Sequence, residues 1–199
     1  MTLSSTELLE DTMPSGEPAD VDALVARAQQ GDISAFAALY QAFSRRVIGL
    51  CHHMLRDRDR ARDAAGDVFM RLRTSIASYN GSTAFERWLL RVAANRCIDL
   101  IRQRRLERRW IAEEETPVEP PSSAASPLTL LLAKESRTGM ERALGRLPAE
   151  HRLPLVLRYY ADLSYDEIGA ELDLEKSQVA GRIFRAKHML RKLLEETPR

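Results

Sequence analysis

Apolar residues recur every three or four positions along nearly the whole chain, and the two-residue alternation of strands is almost absent. "VDALVARAQQ" predicts a short helix stopped at Gly31, with Asp32 placed to cap its successor. In that successor Phe36, Leu39, Tyr40, Phe43, Val47, Leu50 and Met54 fall on one face. A third helix follows "RDRDR", its stripe made of Ala61, Ala64, Ala65, Val68, Phe69, Leu72 and Ile76. "SYNGST" reads as a loop, and a fourth helix starts near Thr83 or Ala84 and buries Phe85, Trp88, Leu89, Val92 and Ala93. Trp88 lies on the apolar stripe and is therefore read as core rather than as a stacking platform.

The pattern then breaks. "ETPVEPPSSAASP" is too rich in Pro, Ser and Glu to support a packed core, and it predicts a flexible linker. Helical periodicity resumes near Leu130 and runs through Met140, Ala143, Leu144 and Leu147 to Pro148. The next helix carries Leu155, Val156, Leu157 and Tyr160, with Pro154 either in its first turn or at a kink. In "LSYDEIGAELDLEKSQVAGRIFRAKHMLRKLL", Ser164 and Glu167 have the spacing of a capping box. Ile168 and Leu172 face inward, Asp173-Leu174 forms the turn, and Val179, Ile183, Ala186 and Leu190 line the following helix. A short capped helix, a tight turn and a basic second helix predict a helix-turn-helix. The fold class is thus all-α: two small helical domains joined by a flexible linker, the second containing the helix-turn-helix. The boundaries fall at an acidic extension over 1–20, a first domain over 21–109, the linker over 110–129 and a second domain over 130–195.

Charge changes the picture more than composition does. The net charge is +1 over 199 residues, with 44% hydrophobic and 30% charged residues, ordinary for a globular chain. The distribution is uneven. Residues 87–109 hold eight arginines against Asp99 and Glu107, and Lys176–Lys192 holds six Lys/Arg and no acid. The compensating acid sits in residues 1–22, with six acids and no base, and in residues 110–135, with five acids against Lys134. Two basic helices point to a polyanionic partner that the sum conceals.

No apolar run approaches a membrane span, and the first twenty residues lack the features of a secretory signal. Two cysteines, Cys51 and Cys97, suit a reducing compartment, so a cytoplasmic location is expected. "LCHHML" lacks metal-ligand spacing, because adjacent His residues point to different sides of a helix. No phosphate-binding loop, dinucleotide fingerprint or nucleophile elbow occurs, so neither an enzyme, a cofactor nor a small-molecule substrate is expected.

Both halves resemble the extracytoplasmic-function (ECF) class of bacterial RNA polymerase sigma factors. The first half is similar to that family's region two through "GDISAFAALY", "RDAAGDVFMRL" and "FERWLLRVAANRCIDLIRQRR". The second is similar to region four through "LPAEHRLPLVLRYYADLSYDEIG" and the helix-turn-helix. The resemblance covers about residues 21–108 and 136–194.

That resemblance implies a role for each surface. Core RNA polymerase would bind Asp63, Asp67, Val68 and Phe69. The promoter-proximal element would be met by the loop of Tyr79, Asn80, Ser82 and Thr83, with Tyr79 as the aromatic nearest a flipped base. Asn95, Arg96, Arg102, Arg104 and Arg105 would complete that surface. Lys176, Ser177, Gln178, Arg182 and Arg185 would lie in the major groove of the upstream element. The resemblance also permits an anti-sigma partner, and the acidic linker would occupy a positive channel of the polymerase. Departures from the family pattern are Gly66 in the polymerase-binding helix, Asp173 and Glu175 at the turn, and Ala180-Gly181 in the recognition helix. The alternatives are a stand-alone helix-turn-helix regulator and a helical interaction protein with merely solvated basic faces.

Overall fold

The computed structural model describes residues 20–112 and 135–195. The acidic extension up to residue 19 and the linker glutamates Glu113, Glu114 and Glu115 lie outside the described residues. Two helical modules are present. The first comprises α1 (Val21–Gln29), α2 (Ile33–Leu55), α3 (Arg58–Ser75), a single 3-10 turn (Ile76–Ser78) and α4 (Phe85–Ala112). The second comprises α5 (Glu135–Arg146), α6 (Ala149–Tyr160), α7 (Tyr165–Leu172) and α8 (Lys176–Glu195).

Aspartates start the helices of the first module. Asp20 accepts from the Ala23 amide, Asp32 from those of Ser34 and Ala35, and Asp57 from those of Asp59 and Arg60. Each satisfies amide donors that a helix start leaves without a partner, which stabilises by about 1 kcal/mol per cap. Asp32 is also held by the Ser34 hydroxyl and the Arg27 guanidinium, which keep its carboxyl well below the usual carboxylate range. Because Asp57 is the cap, α3 begins inside "RDRDR" rather than after it.

Helix α2 is the spine, packing on α1, α3 and α4. Its stripe of Leu39, Phe43, Val47, Leu50, Cys51 and Met54 is buried, as are Ala61, Ala64, Ala65, Val68, Phe69 and Leu72 of α3. The three alanines of α3 leave room for α2 to approach closely. Cys51 and Cys97 are both fully buried and both thiols are free. Hydrogen bonding to Cys51, then burial, pushes the Cys97 thiol far up, so it behaves as a small core residue.

In the second module α6 and α8 pack together, and α7 closes over α8. Pro154 lies inside α6 rather than in its first turn, while Pro148 stands at the helix start. The missing Pro154 amide costs one ladder bond, yet the helix continues because Leu153, Leu155, Val156 and Leu157 around it are all buried. Helix α4 runs to Ala112, three residues into the stretch read as linker (110, 111 and 112). Among the described residues no helix is long and apolar enough to cross a membrane.

Candidate nucleic-acid interface

The loop between α3 and α4 is held from inside. Tyr79 is only 9% exposed; its ring meets Phe85 edge-on at 5.4 Å and Trp88 at 5.4 Å. Its hydroxyl donates to the Thr83 carbonyl at 2.6 Å, and burial raises its pKa. The Gln29 amide of α1 donates to the carbonyls of Ile76 (3.0 Å) and Tyr79 (2.8 Å), pinning the loop from the other side. The ring that the sequence offered to a base thus lies inward, between Phe85 and Trp88. An aromatic ring flanked by Phe85 and Trp88 gains more by joining their cluster than by facing water. The exposed groups are Asn80, Ser82 and Thr83, arranged by an Asx turn (Ser82 amide to Asn80 Oδ1, 3.0 Å) and by Gly81 at φ +74°.

Helix α4 projects from this loop. On an ideal wheel Arg87, Arg91, Arg102 and Arg105 share an arc of roughly 60°. Arg105 is exposed, while the Arg102 guanidinium donates to the Glu171 carbonyl of α7 at 2.8 Å. Arg104 is half-buried. Asn95 is half-buried, with its Oδ1 enclosed and accepting no hydrogen bond among the described residues. Arg96 turns to the opposite side of α4 and pairs with Asp67 of α3 at 2.5 Å. Two residues expected on separate surfaces are thus bonded to each other.

On α3 the expected polymerase-binding set divides. Val68 and Phe69 are buried (0% and 5% exposed), Phe69 lying edge-on to Tyr40 at 4.8 Å. Their side chains are core, because both sit on the stripe that packs on α2. The solvent face of α3 carries Asp63, Gly66, Asp67 and Met70, the last 76% exposed. Met70 went unnoticed in the sequence, although an apolar residue off the stripe was the available signal.

The helix-turn-helix is built as its sequence suggests. The Ser164 hydroxyl accepts from the Glu167 amide (3.2 Å), and the Glu167 carboxylate accepts from the Ser164 amide (2.8 Å). The Ser164 amide, with Arg91 and Arg87 nearby, holds the Glu167 carboxyl below its ordinary value. Asp173 closes the turn in the left-handed region at φ 56°. Gly169 is essential there, because a Cβ would lie 2.5 Å from the Leu174 carbonyl oxygen.

Helix α8 starts with the Glu175 amide donating to Gln178 Oε1 at 3.0 Å, half of a second capping box. Lys176 pairs with Asp166 at 2.7 Å. Opposite the buried stripe of Val179, Ile183, Ala186 and Leu190 stand Ser177, Gly181, Phe184, Arg185 and His188. Arg182 flanks that strip and is half-buried, and Lys187 folds over the Tyr159 ring at 4.8 Å. Phe184, 74% exposed, and His188 were missed in the sequence, where only the charged and small polar residues marked the surface. Ala180 and Gly181 leave a shallow groove of about 470 Å³ beside Tyr165, Phe184 and Arg185. Among the described residues no group of His, Cys, Asp and Glu is placed to hold a metal ion.

Comparison with known proteins adds ancestry to this geometry. The Sigma-70 region 2 family matches residues 39–107, and the Sigma-70 region 4 family matches residues 138–190. The ECF RNA polymerase sigma factor SigE of Mycolicibacterium smegmatis is 31% identical, over 91% of this chain and 70% of that protein. The ECF RNA polymerase sigma-E factor of Escherichia coli K12 is 30% identical, over 84% and 90% respectively. The fold is shared with the sigma factor RpoE of Bartonella quintana, solved with the anti-sigma factor NepR (TM-score 0.55, 17% identity, 83% of this chain and 100% of that one). It is shared equally with CnrH, solved with the cytosolic domain of CnrY (TM-score 0.54, 24% identity, 91% and 100%). With both regions present in order on an all-helical frame, the chain belongs to the ECF family of RNA polymerase sigma factors, non-catalytic subunits that bind core polymerase, recognise promoter DNA and start transcription.

Proposed function

We propose a division of labour for this sigma factor by surface. The strip Ser177, Gly181, Phe184, Arg185 and His188, with Lys176, Gln178 and Arg182 at its edges, reads the upstream element in the major groove. The observation that carries this is the position of the strip, diametrically opposite the buried stripe of α8, on a helix that follows a capped helix and a tight turn. Arginines there supply phosphate contacts and bidentate guanine contacts, and an exposed phenyl ring suits the thymine methyl.

Asn80, Ser82 and Thr83, with Asn95 and the α4 arginines Arg96, Arg102, Arg104 and Arg105, hold the promoter-proximal element, Arg96 from the opposite side of the helix, where Asp67 pairs with it. Tyr79 acts there by shaping the loop. Unstacking a base costs a few kcal/mol, which pocket and backbone contacts offset. Asp63, Gly66, Asp67 and Met70 form the surface of α3 that meets core polymerase, with Val68 and Phe69 supporting it from beneath. The protein works in the cytoplasm, and an anti-sigma factor is its regulator, as the solved relatives with such partners suggest.

Run-off transcription with purified core polymerase on genomic templates tests this reading. Promoter-specific transcripts are expected only when both proteins are present, and the free protein is expected to bind duplex DNA weakly. Tight, specific duplex binding by the protein alone would favour a stand-alone regulator. No specific product on any template would overturn the proposal.

A further inference from the structure

Helix α1 contributes no residue to the surfaces proposed for DNA or polymerase. It is nonetheless held firmly. Val25 and Ala28 are buried against the core. Arg27 donates to Asp32 from Nε at 2.9 Å and from Nη2 at 2.6 Å, and from Nη2 to the Ser34 hydroxyl at 3.0 Å. Asp32, the cap of α2, thus ties the last turn of α1 to the first turn of α2. That corner fixes where the final residue of α1, Gln29, projects.

Gln29 meets the loop between α3 and α4. A side-chain amide carries two N–H donors on one nitrogen. Gln29 Nε2 directs them at the carbonyls of Ile76 (3.0 Å) and Tyr79 (2.8 Å). These carbonyls bracket the 3-10 turn, which the Tyr79 amide closes onto Ile76 at 3.1 Å. A helix end leaves carbonyls without partners of its own, so Gln29 brings a donor from outside the segment. At the far end of the loop the Tyr79 hydroxyl holds the Thr83 carbonyl at 2.6 Å. Between the two ties the tip of Asn80, Gly81 and Ser82 is exposed.

We infer that Gln29 is a positioning residue for promoter opening, holding the loop tip in the conformation that receives an unpaired base. The inference rests on the proposed assignment of this loop to the promoter-proximal element; the tie itself does not. The physical reason is preorganisation. A tip that samples many conformations binds with an affinity reduced by the fraction of time it spends in the competent one. Its backbone would then have to be ordered at the moment of capture. Capture already opposes base stacking, so a loop ordered in advance shifts the balance toward the open strand. The amide is required, because a carboxylate of nearly the same size offers no donor and would face two carbonyl oxygens.

The experiment has two arms, with Gln29→Ala and Gln29→Glu in both. Gln29 stands at the surface, so its replacement leaves the core intact. In the free chain, amide exchange is followed at Tyr79, whose N–H closes the 3-10 turn, and at Ser82, whose N–H closes the Asx turn. Both variants are expected to exchange there about three- to thirtyfold faster, with α2 exchange and helical circular dichroism unchanged. In the holoenzyme, affinity is measured for a forked template from a promoter found by run-off, its promoter-proximal strand unpaired. Each base of that strand is replaced in turn by an abasic site.

Wild type is expected to lose about tenfold in affinity at one position, the captured base. Gln29→Ala is expected to bind the intact fork about three- to thirtyfold more weakly and to lose little more at that abasic site, because the two changes remove one interaction. Both proteins are expected to bind a fully paired template carrying the upstream element equally. Unchanged exchange in both variants would overturn the tie. Faster exchange with additive losses at every abasic site would make Gln29 a strut of the fold and overturn the inference. A wild type insensitive to every abasic site, or no promoter found by run-off, would overturn the assignment of the loop. The inference then falls with that assignment, while the tie stands.

Discussion

Two helical glycines, Gly66 exposed on α3 and Gly169 buried on α7, make opposite demands on their sites. Around Gly66, in the middle of α3, nothing lies within 4 Å of a Cβ, so only the propensity penalty of glycine remains. Gly66→Ala is expected to stabilise by about 1 kcal/mol, raising Tm by roughly 2–4 °C in a thermal melt. Gly169 faces the Leu174 carbonyl, and there the clash outweighs the same propensity gain. Gly169→Ala is expected to destabilise by about 1–3 kcal/mol, read in the same melt. Nothing in "EIGAEL" distinguishes it from "AAGDVF"; the difference arises only once the chain has turned back at Asp173. By contrast the αL role of Asp173 was legible, since short polar side chains tolerate that conformation.

Among the elements, α7 and α8 were the most legible and α4 the least. Capping boxes are local chemistry: Ser164→Ala is expected to cost about 1 kcal/mol and to fray α7, visible as faster amide exchange at Asp166 and Glu167. The outward strip of α8 follows from its buried stripe by helical geometry. Arg185→Ala is expected to weaken upstream-element recognition by the holoenzyme by about 1–3 kcal/mol if its guanidinium reads a base. An equal loss on scrambled sequence would make it a phosphate contact. The arginines of α4 were visible as a run, yet their partners were not. Arg96 goes to Asp67, Arg91 to Glu167 and Arg102 to the Glu171 carbonyl, pairings of 29, 76 and 69 residues' separation. Val68 and Phe69 show the same limit, since a family motif marks residues without saying which support the surface and which form it.

For the whole molecule the contact between the modules, where His53 meets Arg152 and Tyr160, gives stability a pH dependence. Burial first, then the His52 and Arg152 charges, pushes the His53 pKa down from 6.5 to about 4. Between those values the unfolded chain takes up a proton that the folded chain refuses. The contribution is therefore fully present above about pH 6.5 and is lost as pH falls toward 4, amounting to about 2 kcal/mol by pH 5. Melts at pH 7.5 and pH 5 are expected to show this loss, and His53→Leu is expected to remove most of it. A slope that persists in the variant would assign it to other groups.

The sequence by itself determined the helical periodicity, the caps at Asp32 and Ser164, the two-module order and the basic character of α4 and α8. Those depend on residues within a few positions of one another and on periodicity. Tertiary structure alone decided that Tyr79 turns inward, that Val68 and Phe69 are core, that Gly169 has no room for a methyl group, and that the cation Arg152 is buried between modules. Each of these depends on which surfaces meet after the chain has folded back, and a pairing across many residues leaves no periodic trace in the chain.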